Sequence, residues 1–256
     1  MGKNKFWNFI KTEDAAEIHF YGEIASVEGF GDEITPKAFQ EDLESAKDAK
    51  NLDIFINSGG GDVFAGFSIY NMIKRTGIPT TVYVDGLAAS AASVVAMAGD
   101  KIIMPKNSVM MIHNAWCGGR GNARELREQA EKLDRIDGQI AQIYSDRTKM
   151  ALDEVKALMQ AETWMSADEA FANGFCDEIE QNKMVALAVG EEFKGMYKNM
   201  PEEIQIEKPE EEKKEETEPE VEPEPEPDGG DDQPVGEVEA RARRISILNK
   251  RIKMEE

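Results

Sequence analysis

The stretch VDGLAASAAS, residues 84–93, sets two serines among alanines just past a glycine. The apolar run TTVYV (80–84) reads as a strand, and AASAASVVAMAG (88–99) as a helix ending on Gly99. Ser90 therefore stands at a strand-to-helix junction. Such a junction exposes a hydroxyl and aims backbone N–H groups at negative charge that develops beside it. The pattern is not GxSxG, so the signature of a hydrolase elbow is absent. Alone, a run of small residues reads first as a face for close helix packing.

Two further stretches bear on Ser90. INSGGGD (56–62) follows the short apolar run LDIFI (52–56), a buried strand. A glycine run lets N–H groups face a ligand with no side chain in the way. It lacks the GK[ST] of a phosphate loop and the spacing of a dinucleotide fingerprint. An oxyanion hole or a backbone edge for a bound peptide suits it better, and a plain turn suits it equally well. His113 ends the apolar strand SVMMIH (108–113). The chain has only one other histidine, His19, which alternates with apolar neighbours in EIHFYGEI (17–24) and reads as a polar position of a strand.

In order and spacing, INSGGGDVFAG, DGLAAS and PKNSVMMIH resemble the motifs of the proteolytic subunit of the Clp protease. That family is a set of serine peptidases of the ClpP/crotonase fold. The resemblance spans roughly residues 17–180. It implies Ser90 as nucleophile, His113 as general base, and the N–H groups of Gly61 and Ala91 as the oxyanion hole. It also points to Gly60, Asp62 and Asn114 as substrate-binding positions. A Ser–His pair needs a third group to fix the imidazole tautomer and to stabilise its cation. The family places an Asp before an aromatic and a hydrophobic-Ser-Ala segment. Here AETWMSADEA (161–170) puts Glu162 at that position, one methylene longer. Asp168 is expected to cap the helix that follows. A second departure is Gly59, where the family has proline. A third is the N-terminus, which does not look like the family's mobile pore loops.

The elements needed to hold these groups are visible in the pattern. PKAFQEDLESAKDA (36–49) reads as a helix with Pro36 near its start. Residues 63–77 read as a helix closed by Gly77, with Pro79 beyond. Strands are expected at 101–104, 108–112 and 175–179, and helices at 122–149, 152–160 and 167–173. The long helix carries Leu126, Leu133, Ile136, Ile140, Ile143 and Tyr144 near the helical period. Alternating strands and helices predict an α/β fold with mostly parallel pairing, which the resemblance sharpens to repeated β-β-α units.

The chain of 256 residues has a net charge of −21. Every aromatic residue lies at or before Tyr197, so the core, a peptidase domain over 1–200, is expected there. Residues 201–234 hold 16 acidic and 3 basic residues and seven of the ten prolines, which predicts a disordered, extended linker. Residues 235–256 regain helical spacing: Val238, Ala242, Ile245, Leu248 and Ile252 share one face of a basic amphipathic helix. An acidic tether ending in such a helix suits docking on a partner. No basic footprint of a nucleic-acid binder is present, and no apolar run approaches the roughly 18 residues of a membrane span. No secretory signal is visible, and Cys117 and Cys176 lack metal-ligand spacing, so a cytoplasmic protein without metal or cofactor is expected.

Within the family, GEI…GFGDEITPKAF, AETWMSADEA and the acidic tail look most like the head maturation proteases of tailed bacteriophages. That branch implies a homo-oligomer of stacked rings in the family's manner, with scaffold or capsid protein as substrate inside the host cytoplasm or the prohead. It gives no role to an unfoldase ATPase. Three other readings stay open: a housekeeping Clp subunit, a crotonase-type acyl-CoA enzyme, and an inactive assembly protein.

Overall fold

The computed structural model describes residues 9–11, 15–27, 29, 33–181, 197 and 199. By compactness the chain divides into Met1–Glu210 and Glu211–Glu256. The expectations for 201–234 and 235–256 lie outside the described residues.

Among the described residues, eight strands and six helices follow in the order β1 (Phe9–Lys11), β2 (Ala15–Tyr21), α1 (Pro36–Ala46), β3 (Asn51–Ser58), α2 (Val63–Thr76), β4 (Thr80–Ala89), α3 (Ala91–Ala96), β5 (Lys101–Pro105), β6 (Val109–Ile112), α4 (Ala123–Thr148), α5 (Leu152–Gln160), β7 (Thr163–Ser166), α6 (Ala167–Ala172) and β8 (Glu178–Glu180). The sheet runs β1-β2-β3-β4-β5-β8. All its pairings are parallel except β1 with β2, and β6 with β7. This is the α/β architecture that the alternation of elements predicts.

Period-two patterning decides which sheet face is buried. Ile18 and Phe20 of β2, Leu52, Ile54 and Ile56 of β3, and Val82 and Val84 of β4 point into one core with α1, α2 and α3. Each buried aliphatic side chain of this kind contributes about 1.5–3 kcal/mol relative to exposure. The opposite face is half-buried and carries a stack of His19, Phe55 and Tyr83, with ring centroids 4.7 and 4.8 Å apart. His19 is thus a packed position of the sheet.

The strand that matters most is β4, because it forks the sheet. Its first half pairs β5 at Thr81–Tyr83, and its second half pairs β6 at Leu87–Ala89. The sequence pattern ends this strand at residue 84 and assigns Ala88 and Ala89 to the helix. In the structure both remain in the strand, and α3 begins at Ala91. Their high helix propensity is overridden, since both are fully buried between strands. Two further elements escape the pattern: β1, and β7, whose four residues TWMS show no clean alternation.

Local signals close the helices. The Asp62 carboxylate caps α2 through the Ala65 N–H at 2.8 Å, and Gly77 ends it at φ 64°. Asn122 and Glu125 form a capping box at the start of α4. At α6 the cap is Ser166, reciprocated by Glu169, and not Asp168. A serine at N-cap with Glu three residues on satisfies two orphan donors at once, which leaves Asp168 in the first turn.

Candidate active site

The fork in β4 builds the site. The parallel register pairs Ala89 with Met111, so the two strands run out together at Ser90 and His113. The Ser90 N–H donates to the Met111 carbonyl at 3.0 Å. Ser90 Oγ then lies 2.7 Å from His113 Nε2. For Ser90 to donate along that line, Nε2 must be bare and the ring proton must sit on Nδ1.

Ser90 takes φ 54° and ψ −124°, a conformation that L residues adopt at a cost of about 1–3 kcal/mol. This is a strained strand-to-helix elbow without the glycine signature. The space is supplied by another segment instead. A Cβ on Gly60 would stand 2.7 Å from Ser90 Cβ, and one on Gly66 would stand 3.2 Å from Ala91 Cβ. A rule that looks for glycines beside the serine cannot find glycines donated across the fold.

The glycine run is held by the residues before it. The register between β3 and β4 slips between Ile56 and Ser58, and Asn57 Oδ1 takes the Leu87 N–H at 3.1 Å across the irregularity. Ser58 Oγ donates to the Gly22 carbonyl at 2.5 Å and accepts the Gly60 N–H at 3.1 Å. Ile24 then clamps the loop: its N–H donates to Gly60 O, and its carbonyl accepts the Asp62 N–H, both at 2.8 Å. Between them, Gly61 has φ 141°, and a Cβ there would lie 2.1 Å from the Ile24 carbonyl oxygen. Among the described residues, no acceptor meets the N–H of Gly61 or of Ala91. These are the two groups expected to form an oxyanion hole.

Of the expected substrate-binding positions, Gly60 has both backbone polar groups engaged internally, and the Asp62 carboxylate serves as the α2 cap. The Asn114 amide donates to Asp137 on α4, whose other oxygen takes the Ala115 N–H at 2.7 Å. The Asp62 main chain is engaged as well, its N–H by the Ile24 carbonyl and its carbonyl by the Gly66 N–H, whereas the Asn114 side-chain oxygen is buried with no hydrogen-bond partner among the described residues.

Glu162 sits in the turn after α5 at φ 52°. Among the described residues its Oε1 accepts from the Asn199 N–H at 2.7 Å and from Trp164 Nε1 at 3.4 Å, with no hydrogen bond to His113. Its effect on His113 is electrostatic. Burial pushes the His113 pKa below its usual value, while the charges of Glu162 and Asp137 act in the opposite direction. The net lowering keeps the imidazole neutral, as a general base requires.

Ser93, the other serine of the opening stretch, is fully buried. Its hydroxyl donates to the Ser90 carbonyl at 2.6 Å and lies 2.8 Å from the Tyr144 hydroxyl. It has no access to substrate. A cleft of about 850 Å³ is lined by Ser90 and His113 together with Phe64, Trp116 and, on α4, Leu133 and Ile136. Its walls suit an extended chain with apolar side chains. Cys117 and Cys176 are free thiols, one exposed and one buried. The signals that sequence reasoning missed are Asn57, Ser58 and Ile24, which brace the loop, and Tyr197 and Asn199, which reach the site from far along the chain.

Comparison with known proteins gives a family model, Clp protease, matching residues 29–183. The chain belongs to the Clp protease family. It is a serine-type peptidase of that family. The ATP-dependent Clp protease proteolytic subunit of Pleurastrum terricola is 34% identical over 143 residues, covering 55% of this chain and 73% of that protein. The protein of the same name from Deinococcus radiodurans is 32% identical over 140 residues, covering 54% and 68%. Among solved structures, a ClpP1 variant from Listeria monocytogenes superposes with a TM-score of 0.57 at 25% identity, over 65% of this chain and 92% of that one.

Proposed function

We propose that the protein is a serine endopeptidase in which Ser90 is the nucleophile and His113 the general base. The observation that carries this is the 2.7 Å contact between Ser90 Oγ and His113 Nε2 at a strained elbow. His113 takes the Ser90 proton as Oγ attacks the peptide carbonyl. The negative oxygen that forms meets the N–H groups of Gly61 and Ala91, fixed in place before the reaction. His113 then gives its proton to the leaving amine, and water attacks the acyl-enzyme by the same path in reverse. Glu162 supplies the negative charge that stabilises the imidazolium. Reaction with a fluorophosphonate probe tests this: labelling should be lost in Ser90→Ala, and labelling that persists would remove Ser90 from the role.

We further infer a homo-oligomer of stacked rings, as the Clp protease family forms, working in the cytoplasm or inside an assembling shell. The first half of α4 supports it: Leu126 is 44% exposed, and only Ile140, Ala141 and Tyr144 of this helix are buried. Sedimentation of an active monomer would overturn it. For the biological setting, GFGDEITPKAF, AETWMSADEA and the acidic tail with its basic terminal segment favour maturation of phage heads, with scaffold or capsid protein as substrate. Neither nucleic acid nor membrane is a partner in this reading. Among the described residues no helix is long and apolar enough to cross a membrane. The names of the curated relatives favour a second setting, the housekeeping Clp protease. Genomic position beside portal and capsid genes, or co-purification with an unfoldase ATPase, separates the two.

A further inference from the structure

The family match ends at residue 183, yet two described residues beyond it lie against the catalytic groups. Tyr197 is 9% exposed and packs with Leu87, Ala89 and Met111 in a small apolar cluster, backed by Trp164. Its ring stands edge-on to His113, with centroids 5.4 Å apart, and to Trp164 at 5.5 Å. Its hydroxyl donates to the carbonyl of Gly59, the first residue of the glycine run. The Asn199 N–H donates to Glu162 Oε1 at 2.7 Å, and its side-chain amide to the Ala161 carbonyl at 3.0 Å.

We propose that Tyr197 and Asn199 are positioning residues of this active site: Tyr197 holds the oxyanion loop and the His113 ring, and Asn199 holds the Glu162 carboxylate. The inference rests on the peptidase reading above.

The loop and the acid both need outside support. Gly59, Gly60 and Gly61 have no side chains to restrict them, and glycine loses more backbone freedom on ordering than any other residue. A buried phenol must find a hydrogen-bond partner, and here the partner is the carbonyl at the head of that loop. The same ring walls one edge of His113. Glu162 has one more rotatable bond than Asp, so its carboxylate needs donors to fix it. The Asn199 N–H and Trp164 Nε1 are those donors. Burial pushes the Tyr197 phenol up to about 12, with the Ser90 hydroxyl pulling it down, so it remains a neutral donor at working pH.

The groups that face His113 are Ser90 at the elbow, Glu162 before β7, Asp137 on α4 and Tyr197. Of these, Glu162 alone is held by Asn199. Releasing it weakens a charge that raises the His113 pKa. The acid limb of the pH profile should then move to lower pH, a change that simple loosening of the fold does not produce.

The test uses the full chain with Tyr197→Phe and with Asn199→Pro, which removes the N–H itself. Fluorogenic peptide hydrolysis, the rate of fluorophosphonate labelling between pH 4 and 9, and thermal melting are measured on each. Misplacement of catalytic groups by a fraction of an ångström predicts about a ten- to hundredfold loss in kcat for each variant, with KM within about twofold. Asn199→Pro should also shift the acid limb of labelling downward. An active wild type with both variants equally fast and the limb unmoved would overturn the inference alone. A variant whose rate falls only in step with its melting, without the limb shift or the kcat-only loss, would also overturn it. A wild type inert to both probes would overturn the peptidase reading, and this inference with it.

Discussion

Ser90 and His113 meet because two adjacent strand ends of one sheet bring them together, whereas Glu162 enters from a turn after α5 and is bonded to a residue 37 positions further on. The first pair is set by backbone register, with several ladder bonds behind it. The acid is set by individual side-chain and main-chain contacts, one from the neighbouring Trp164 and one from the distant Asn199. The serine side of the site should therefore resist changes elsewhere in the molecule, and the acid side should be tunable. In energetic terms the chemistry is concentrated on the rigid side, and the adjustment of the base on the adaptable one.

The sharpest break in that comparison is Ser90→Ala. On the register-held side every other group stays in place, so folding should be unaffected while hydrolysis falls by roughly 10⁴–10⁶-fold, as for removal of a nucleophile that acts as part of a unit. Melting and peptide turnover check both halves. Gly61→Ala comes next. Its Cβ would press on the Ile24 carbonyl at 2.1 Å, so the loop must shift and the oxyanion donor with it. Loss of one such donor costs about 10²–10³ in kcat. A Gly61→Ala enzyme with unchanged kcat would take this N–H out of the mechanism.

On the acid side, Glu162→Gln should lower kcat by about 10²–10⁴-fold, the upper value being that seen when a triad carboxylate is neutralised. The sign of the pH effect follows from the charges. Glu162 raises the His113 pKa against the larger lowering by burial, so the amide variant leaves the base titrating at still lower pH. The acid limb of kcat/KM in the wild type should fall below the ordinary histidine value of about 6.5. In Glu162→Gln it should fall lower again. Glu162→Asp should retain much of the activity, because Asp tolerates the positive φ at this position. A limb that does not move in Glu162→Gln would assign the electrostatic effect to Asp137.

The same contrast explains what could be read in advance. The glycine run, the serine and the histidine each follow an apolar strand, and strand patterning depends on neighbours two residues apart. That made β3, β6 and the order of the three motifs legible. The fork in β4 was not, because Ala88 and Ala89 favour helix locally and are held in the strand only by β3 and β6 on either side. Nor was β7 legible, since its partner lies across α4 and α5 in sequence. Tyr197 and Asn199 carry no local signal at all. In α4 the apolar period was visible, but Leu126 faces outward, so periodicity alone did not say which half packs on the core.

The smallest expected effect on activity tests how far the rigid side extends. Ser93 lies one turn from the nucleophile, and its hydroxyl donates to the Ser90 carbonyl, so the Tyr144 hydroxyl is the donor in their shared bond. Tyr144 is fully buried, and burial raises its pKa further above the usual phenol range. Ser93→Ala thus leaves a phenolic O–H in the core without an acceptor, which costs about 1–3 kcal/mol of stability. The position of Ser90 is still fixed by its own N–H bond to Met111 and by the β4–β6 register, so most of the peptidase activity should remain. Removing the stranded hydroxyl as well, in Ser93→Ala/Tyr144→Phe, should recover part of the lost stability, since a pair of polar partners deleted together leaves no orphan behind. Denaturant unfolding of the two single variants and the double variant measures the coupling. Activity that collapses in Ser93→Ala while stability holds would mean that the elbow depends on this hydroxyl and not on the sheet, and the division between a register-held serine and a contact-held acid would fail at its stronger end.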